Sequence, residues 1–205
     1  MSIQPRVFDD ARGFFLETWQ ERRFAEAGIH ARFVQVNQSR STRNTLRGLH
    51  YQIQQTQGKL VWVVRGSVFD VAVDIRRGSP TFGRWVGEEL SEENHRLLWV
   101  PPGFAHGFLV LSEIADFAYQ CTDFYAPNYE RAIRWDDPEL AIDWPLYGAD
   151  PIVSSEILRR LYLAKPRSSL ESDGDRCSGG RLVMRPCASP HWSRQPSLSA
   201  MQISM

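Results

Sequence analysis

Leu60-Val61-Trp62-Val63-Val64-Arg65-Gly66-Ser67-Val68-Phe69-Asp70-Val71-Ala72-Val73-Asp74-Ile75 reads as two strands and the turn that joins them. Its first five residues are apolar and mostly β-branched, which suits a buried, pleated backbone. Arg65-Gly66-Ser67 supplies the turn. Beyond it the chain alternates with period two, so Val68, Asp70, Ala72 and Asp74 share one face while Phe69, Val71, Val73 and Ile75 share the other. Arg76-Arg77-Gly78-Ser79-Pro80 ends that strand. Further along, Leu97-Leu98-Trp99-Val100 stops at Pro101-Pro102-Gly103, Gly107-Phe108-Leu109-Val110-Leu111 starts another strand, and Ile114 to Cys121 continues the pattern. Short strands with Gly/Pro turns between them predict an all-β sandwich or barrel and argue against βαβ units.

Few helices fit this frame. One is expected over Gln20–Ala27, after Thr18, and a second short one from Ser91, where Ser-Glu-Glu-Asn places acidic residues in a first turn. No internal repeat or heptad is present. The composition shifts near Ser154, and nine serines fall between Ser168 and Met205 with few clustered aliphatics. Residues 1–153 are therefore expected to form one domain, and residues 154–205 an atypical segment that is irregular or disordered.

Bulk properties narrow the function. Of 205 residues, 24 are basic and 24 acidic, which excludes the broad basic footprint of a nucleic-acid or anionic-membrane binder. No apolar run approaches the roughly 20 residues needed to span a bilayer. The opening Met1-Ser2-Ile3-Gln4-Pro5-Arg6 lacks a signal-peptide core. Cys121, Cys177 and Cys187 make no even disulfide framework. A Cys177–Cys187 pair is one alternative, and free thiols in a reducing cytoplasm are the expectation.

Three segments concentrate reactive side chains: Arg47-Gly48-Leu49-His50-Tyr51-Gln52 with Gln57-Gly58-Lys59, then Pro101-Pro102-Gly103-Phe104-Ala105-His106-Gly107-Phe108, then Tyr119 with Tyr125-Ala126-Pro127 and Glu130. Each has a structural explanation alone. A strand histidine is commonly a hydrogen-bonded core residue, Lys59 suits a solvated turn, and Pro-Pro-Gly is a good turn in its own right. In a barrel, however, alternate residues of several strands point into one lumen. Enclosing His, Lys, Arg and Tyr together is costly unless a ligand or mutual pairing satisfies them.

Pro101-Pro102-Gly103-Phe104-Ala105-His106 resembles the Pro-x-Gly-x-x-His core of the cupin superfamily's second motif. The His-x-His pair of the first motif is replaced by His50-Tyr51-Gln52. Two scattered histidines make a poor divalent-metal site, so no metal is expected. A finer match covers Pro5 to Pro151: Arg12-Gly13-Phe14-Phe15-Leu16-Glu17, Gln35-Val36-Asn37, Arg47 to Gln52, Asp70-Val71-Ala72-Val73-Asp74-Ile75-Arg76, Gly103 to Phe108, and Trp135-Asp136-Asp137-Pro138. These stretches resemble the dTDP-4-dehydrorhamnose 3,5-epimerase family.

That resemblance implies a cupin-type jelly roll and epimerisation at C3 and C5 of a dTDP-linked 4-keto-6-deoxy sugar, with no cofactor needed. It implies His50 as base, Lys59 beside the carbonyl oxygen, and Tyr119 as the opposing acid. Supporting contacts with substrate fall to Arg12, Glu17, Gln35, Asn37, Arg47, His106, Tyr125 and Glu130. A homodimer built in part through the N-terminal region is implied as well, although the strand that usually precedes Ile3 is missing. The family continues with Ser-x-Lys-Asp, whose carboxylate pairs with the base; here Ser154-Ser155-Glu156-Ile157 puts Ile157 at the Asp position. Glu156 and Asp70 are the alternatives for that acid. The rival readings are a single-carbon nucleotide-sugar epimerase, a sugar-nucleotide-binding cupin without catalysis, and a structural β-domain.

Overall fold

A computed structural model describes residues 1–154 of the chain. The expected irregular segment beyond Ser154, with Glu156, Ile157, Cys177 and Cys187, lies outside the described residues.

The strands are short and follow the alternation read above. In chain order they are β1 (Ser2–Ile3), β2 (Val7–Asp10), β3 (Gly13–Leu16), β4 (Gln35–Thr42), β5 (Leu46–Gln52) and β6 (Lys59–Arg65). Then come β7 (Ser67–Asp74), β8 (Trp85–Ser91), β9 (Leu97–Val100), β10 (Phe104–Val110), β11 (Ile114–Cys121) and β12 (Glu130–Ala132). Two five-stranded antiparallel sheets, ordered β1-β9-β6-β11-β4 and β12-β5-β10-β7-β8, make the expected cupin-type jelly roll. The hairpin β2–β3 belongs to neither sheet. β1 pairs with β9, so the first residues already belong to the ladder.

The central strands of each sheet have packed residues on both faces, which explains why Leu60–Val63 is continuous in apolar residues. Between the sheets, Val61 and Val63 of β6, Val68 and Ala72 of β7, Phe108 and Val110 of β10, and Phe117 of β11 form one cluster. The outer face of the second sheet carries Val71, Val73, Ala105 and Leu109, covered by Ile133, Leu140 and Trp144. Outside the first sheet, Leu60 and Leu97 pack against Ile3, Phe24 and Ile29. Phe24 comes from the one α-helix of the described residues, α1 (Glu21–Glu26). Gln20 caps α1 by accepting a 2.8 Å bond from the Arg23 amide, and Ala27 ends it, within the span expected for this helix.

The second expected helix is not formed. Ser91 ends β8, and Glu92 to Asn94 is a turn. Asn94 N donates to Ser91 Oγ at 3.1 Å, while Asn94 Oδ1 accepts from the amides of Ser91 at 3.1 Å and Arg96 at 2.9 Å. Such local side-chain bonds compete with helical ones, and here they win. His95 takes a φ of 53° to aim the chain into β9.

Candidate functional site

The jelly roll encloses a cavity of about 710 Å³ between its sheets, and strand register decides what enters it. In the second sheet, His106 of β10 pairs directly with His50 of β5 and with Ala72 of β7. In the first sheet, Tyr119 of β11 lies between Val61 of β6 and Asn37 of β4, and Cys121 lies between Lys59 and Gln35. His50, His106, Lys59, Tyr119, Gln35 and Asn37 all line the cavity, joined by Arg47, Tyr125 and Glu130. The sheets thus oppose one another chemically: imidazoles on one wall, ammonium and phenol on the other.

A close backbone approach allows this wall to form. Gly48 has φ +116°, and a Cβ there would lie 2.5 Å from Gly107 Cα, while one on Gly107 would lie 2.6 Å from the Arg47 carbonyl oxygen. Side chains at either position would push β5 from β10 and separate the two histidines.

Electrostatics set the protonation states. Lys59 Nζ lies over the Tyr119 ring, 5.8 Å from its centroid. Burial pushes the Lys59 ammonium below the ordinary lysine value, partly offset by the negative potential of Cys121, Asp70 and Glu130. Burial also raises the Tyr119 phenol above the ordinary tyrosine value, so it stays protonated at neutral pH. His106 Nε2 lies 3.0 and 2.9 Å from the two oxygens of fully buried Asp70. Asp70 therefore serves His106; the expectation that it could pair with His50 is corrected, because β10 and not β5 is its neighbour. Among the described residues, the carboxylate beside His50 is Glu130, whose Oε1 lies 3.2 Å from Nδ1. Glu130 Oε2 accepts from the Tyr125 hydroxyl at 2.9 Å.

The polar rim is interlocked. Gln35 Nε2 donates to Asn37 Oδ1 at 3.0 Å, and Gln35 Oε1 accepts from the Tyr125 amide at 2.9 Å. Arg47 Nε donates to Ser41 Oγ at 3.0 Å. Two expected site residues do not line this cavity. Arg12 is exposed in the β2–β3 turn and paired with Asp10, and Glu17 is held by Arg23 at 3.1 Å. Both sit on the hairpin or just after it, outside both sheets. Gln52 and Gln57 line the cavity and were passed over as site residues. The period-two step from His50 to Gln52 carried that information. Among the described residues, no three His, Cys, Asp or Glu side chains converge as a metal-ligand group. No helix among them is long and apolar enough to cross a membrane.

A family model described as dTDP-4-dehydrorhamnose 3,5-epimerase matches residues 1–160. The dTDP-4-dehydrorhamnose 3,5-epimerase of Pseudomonas aeruginosa is 64% identical over 155 residues, covering 75% of this chain and 85% of that protein. The enzyme of the same name from Methanothermobacter thermautotrophicus is 53% identical over 154 residues, 75% of this chain and 83% of its own. Among solved structures, the dTDP-6-deoxy-D-glucose 3,5-epimerase of Legionella pneumophila in complex with dTDP-4-keto-L-rhamnose is 59% identical. It superposes with a TM-score of 0.76 over 78% of this chain and 85% of that one.

Proposed function

The chain belongs to the dTDP-4-dehydrorhamnose 3,5-epimerase family, and from that membership we propose how its cavity inverts a sugar. The protein is an isomerase: it converts dTDP-4-dehydro-6-deoxy-D-glucose into dTDP-4-dehydro-L-rhamnose by inversion at C3 and C5, a step of dTDP-rhamnose biosynthesis.

Both carbons flank the C4 ketone, which makes their protons removable. His50 takes the proton; the C–H electron pair moves into an enolate, and Lys59 stabilises the charge that develops on O4. Tyr119 then delivers its hydroxyl proton to the same carbon from the other side, and the enolate pair closes the new C–H bond. The imidazolium and the phenolate return to their starting states by exchange with solvent. One observation carries this reading: His50 stands on one sheet and Lys59 and Tyr119 on the other, across a shared cavity. Inversion requires a base and an acid on opposite faces of a ring, and two facing sheets supply them. Lys59's lowered and Tyr119's raised proton affinities suit a polarising cation and a proton donor. Arg47 suits an anionic group of the nucleotide, while Gln35, Asn37, His106, Tyr125 and Glu130 suit its sugar and hydroxyls.

The protein acts as a homodimer in this reading. Hairpin β2–β3 lies outside both sheets and exposes Phe8 (49%), Phe14 (60%) and Phe15 (69%), while β4 is a sheet edge with Val36 66% exposed. An apolar hairpin and an open edge on one molecule invite a second copy. Docking there is what carries Arg12 and Glu17 toward a cavity.

Solvent exchange tests the chemistry. In deuterated water the protein is expected to place deuterium at both C3 and C5 of the keto sugar. His50→Ala and Tyr119→Phe are each expected to slow inversion by about 10³-fold while keeping the native circular dichroism spectrum. Inversion at the unaltered rate in both variants sinks these roles; exchange at one carbon only reassigns the enzyme as a single-carbon epimerase.

A further inference from the structure

A histidine base works best when a carboxylate behind it fixes its tautomer and stabilises its cation. Among the described residues, Asp70 and Glu130 are the carboxylates near the two imidazoles, and both oxygens of Asp70 are on His106. Glu130 reaches His50 by strand register. In the β5–β12 ladder Glu130 is opposite Gln52 and Ala132 is opposite His50, which makes Glu130 and His50 diagonal neighbours on one face. Long side chains span that diagonal. Here the carboxylate Oε1 comes to 3.2 Å from Nδ1, a ring atom shut off from solvent. Bulk water is kept from that nitrogen, and the Glu130 carboxylate stands at ion-pair distance from it. The second oxygen of Glu130 accepts from the Tyr125 hydroxyl at 2.9 Å, which steadies the carboxylate.

We propose that Glu130 is the positioning residue of the base: it keeps the His50 proton on Nδ1, leaves Nε2 as the basic atom, and stabilises the imidazolium formed during each inversion. This goes beyond a contact with substrate, and it gives the imidazole a carboxylate from within the barrel. The charged and titratable groups facing the pair come from every neighbouring element. Among the described residues they are Lys59 on β6, Tyr119 and Cys121 on β11, Arg47 on β5, Asp70 on β7, His106 on β10, and Tyr125 in the loop before β12. Glu130 also acts on Lys59 through space. A rate profile alone therefore mixes two effects, and His50 itself must be observed.

The experiment is nitrogen-15 NMR of His50 in the full-length protein and in Glu130→Gln and Glu130→Asp, without substrate, beside kcat and KM for the keto sugar. The expected wild-type ring is the Nδ1–H tautomer. In Glu130→Gln the tautomers mix and the imidazole titrates about one pH unit lower, since a favourable negative charge is gone. The kcat of that variant falls roughly 10²-fold, a larger change than the rise in KM from its lost substrate contact, and Glu130→Asp, which keeps the charge, recovers at least about tenfold in kcat. An unchanged tautomer and titration in Glu130→Gln overturn the proposal, as does a variant in which KM alone rises. Should Glu130→Gln not fold, Glu130→Asp decides: loss of the Nδ1–H tautomer there also overturns it. The rate arm rests on the epimerase reading, whereas the NMR arm does not. A wild-type protein without turnover would thus sink the reaction and leave Glu130's role to be read from the ring.

Discussion

At the scale of single residues, Lys59 shows how placement tunes an ordinary side chain. Its ammonium is held below the usual lysine value because burial disfavours charge more than Cys121, Asp70 and Glu130 restore it. Polarising the ketone requires the charged form, so activity is lost as pH rises through that lowered value. Tyr119, raised by burial, stays protonated beyond its own usual value and does not set this limit. The basic limb of kcat is expected below the ordinary lysine range near pKa ~10.4. A limb at or above that range refutes the assignment. The stability sign runs the other way. A cation whose folded pKa lies below its unfolded one opposes folding at neutral pH, and that cost disappears as pH rises. Lys59→Met is therefore expected to melt at a higher temperature at pH 7 while losing nearly all turnover, a trade of stability against activity common at catalytic sites. A lower melting temperature for this variant would contradict the burial argument.

At the scale of elements, the loop leaving β7 is held by one carboxylate. Asp74, nearly fully buried, accepts from Arg76 Nη2 at 2.7 Å, Ser79 Oγ at 2.7 Å and Thr81 Oγ1 at 2.6 Å, and its other oxygen accepts from the Arg76 amide at 3.0 Å. The Arg76 guanidinium, followed by the hydroxyl donors, holds this carboxyl far below the usual aspartate range. Arg76 also lies over Phe104, 4.8 Å from its ring centroid, at the start of the strand that carries His106. A depressed carboxyl contributes stability above its unfolded pKa of about 3.9, and the contribution is lost as pH falls through the folded value. Asp74→Ala is expected to cost on the order of 2–3 kcal/mol in urea unfolding at pH 7. The difference from wild type should narrow once pH drops below about 4. An unfolding midpoint that does not move at pH 7 would show the network to be idle.

At the scale of the whole molecule, the barrel brings His50, Lys59 and Tyr119 to one cavity but leaves Arg12 and Glu17 on or just after a hairpin outside both sheets. Association of two copies is the expected remedy. Sedimentation should give a dimer at micromolar concentration. Exchanging Phe14 and Phe15 for serine should weaken it by about a hundredfold or more, given the apolar area the two rings remove from water on docking. Arg12→Ala and His50→Ala subunits, mixed, should regain turnover that neither shows alone, because one hybrid cavity then holds both native residues. A monomeric wild type, or an unaltered dimer in the double variant, removes the hairpin from this role.

The sequence by itself determined the all-β architecture, because period-two alternation in residues 68–75 and apolar runs such as Leu60–Val64 leave the backbone little else to form. Through its resemblance to the epimerase family, carried by ordered motifs from Arg12 to Pro138, it also implied the chemistry. It misread Ser91–Asn94, where reciprocal side-chain bonds form a turn with a helix-like composition. Only the tertiary structure decided which described carboxylate stands near which histidine. Asp70 and Glu130 are both carboxylates on paper, yet strand order places one beside β10 and the other beside β5. Pairing between distant strands follows from how sheets assemble, and a local pattern carries no record of it.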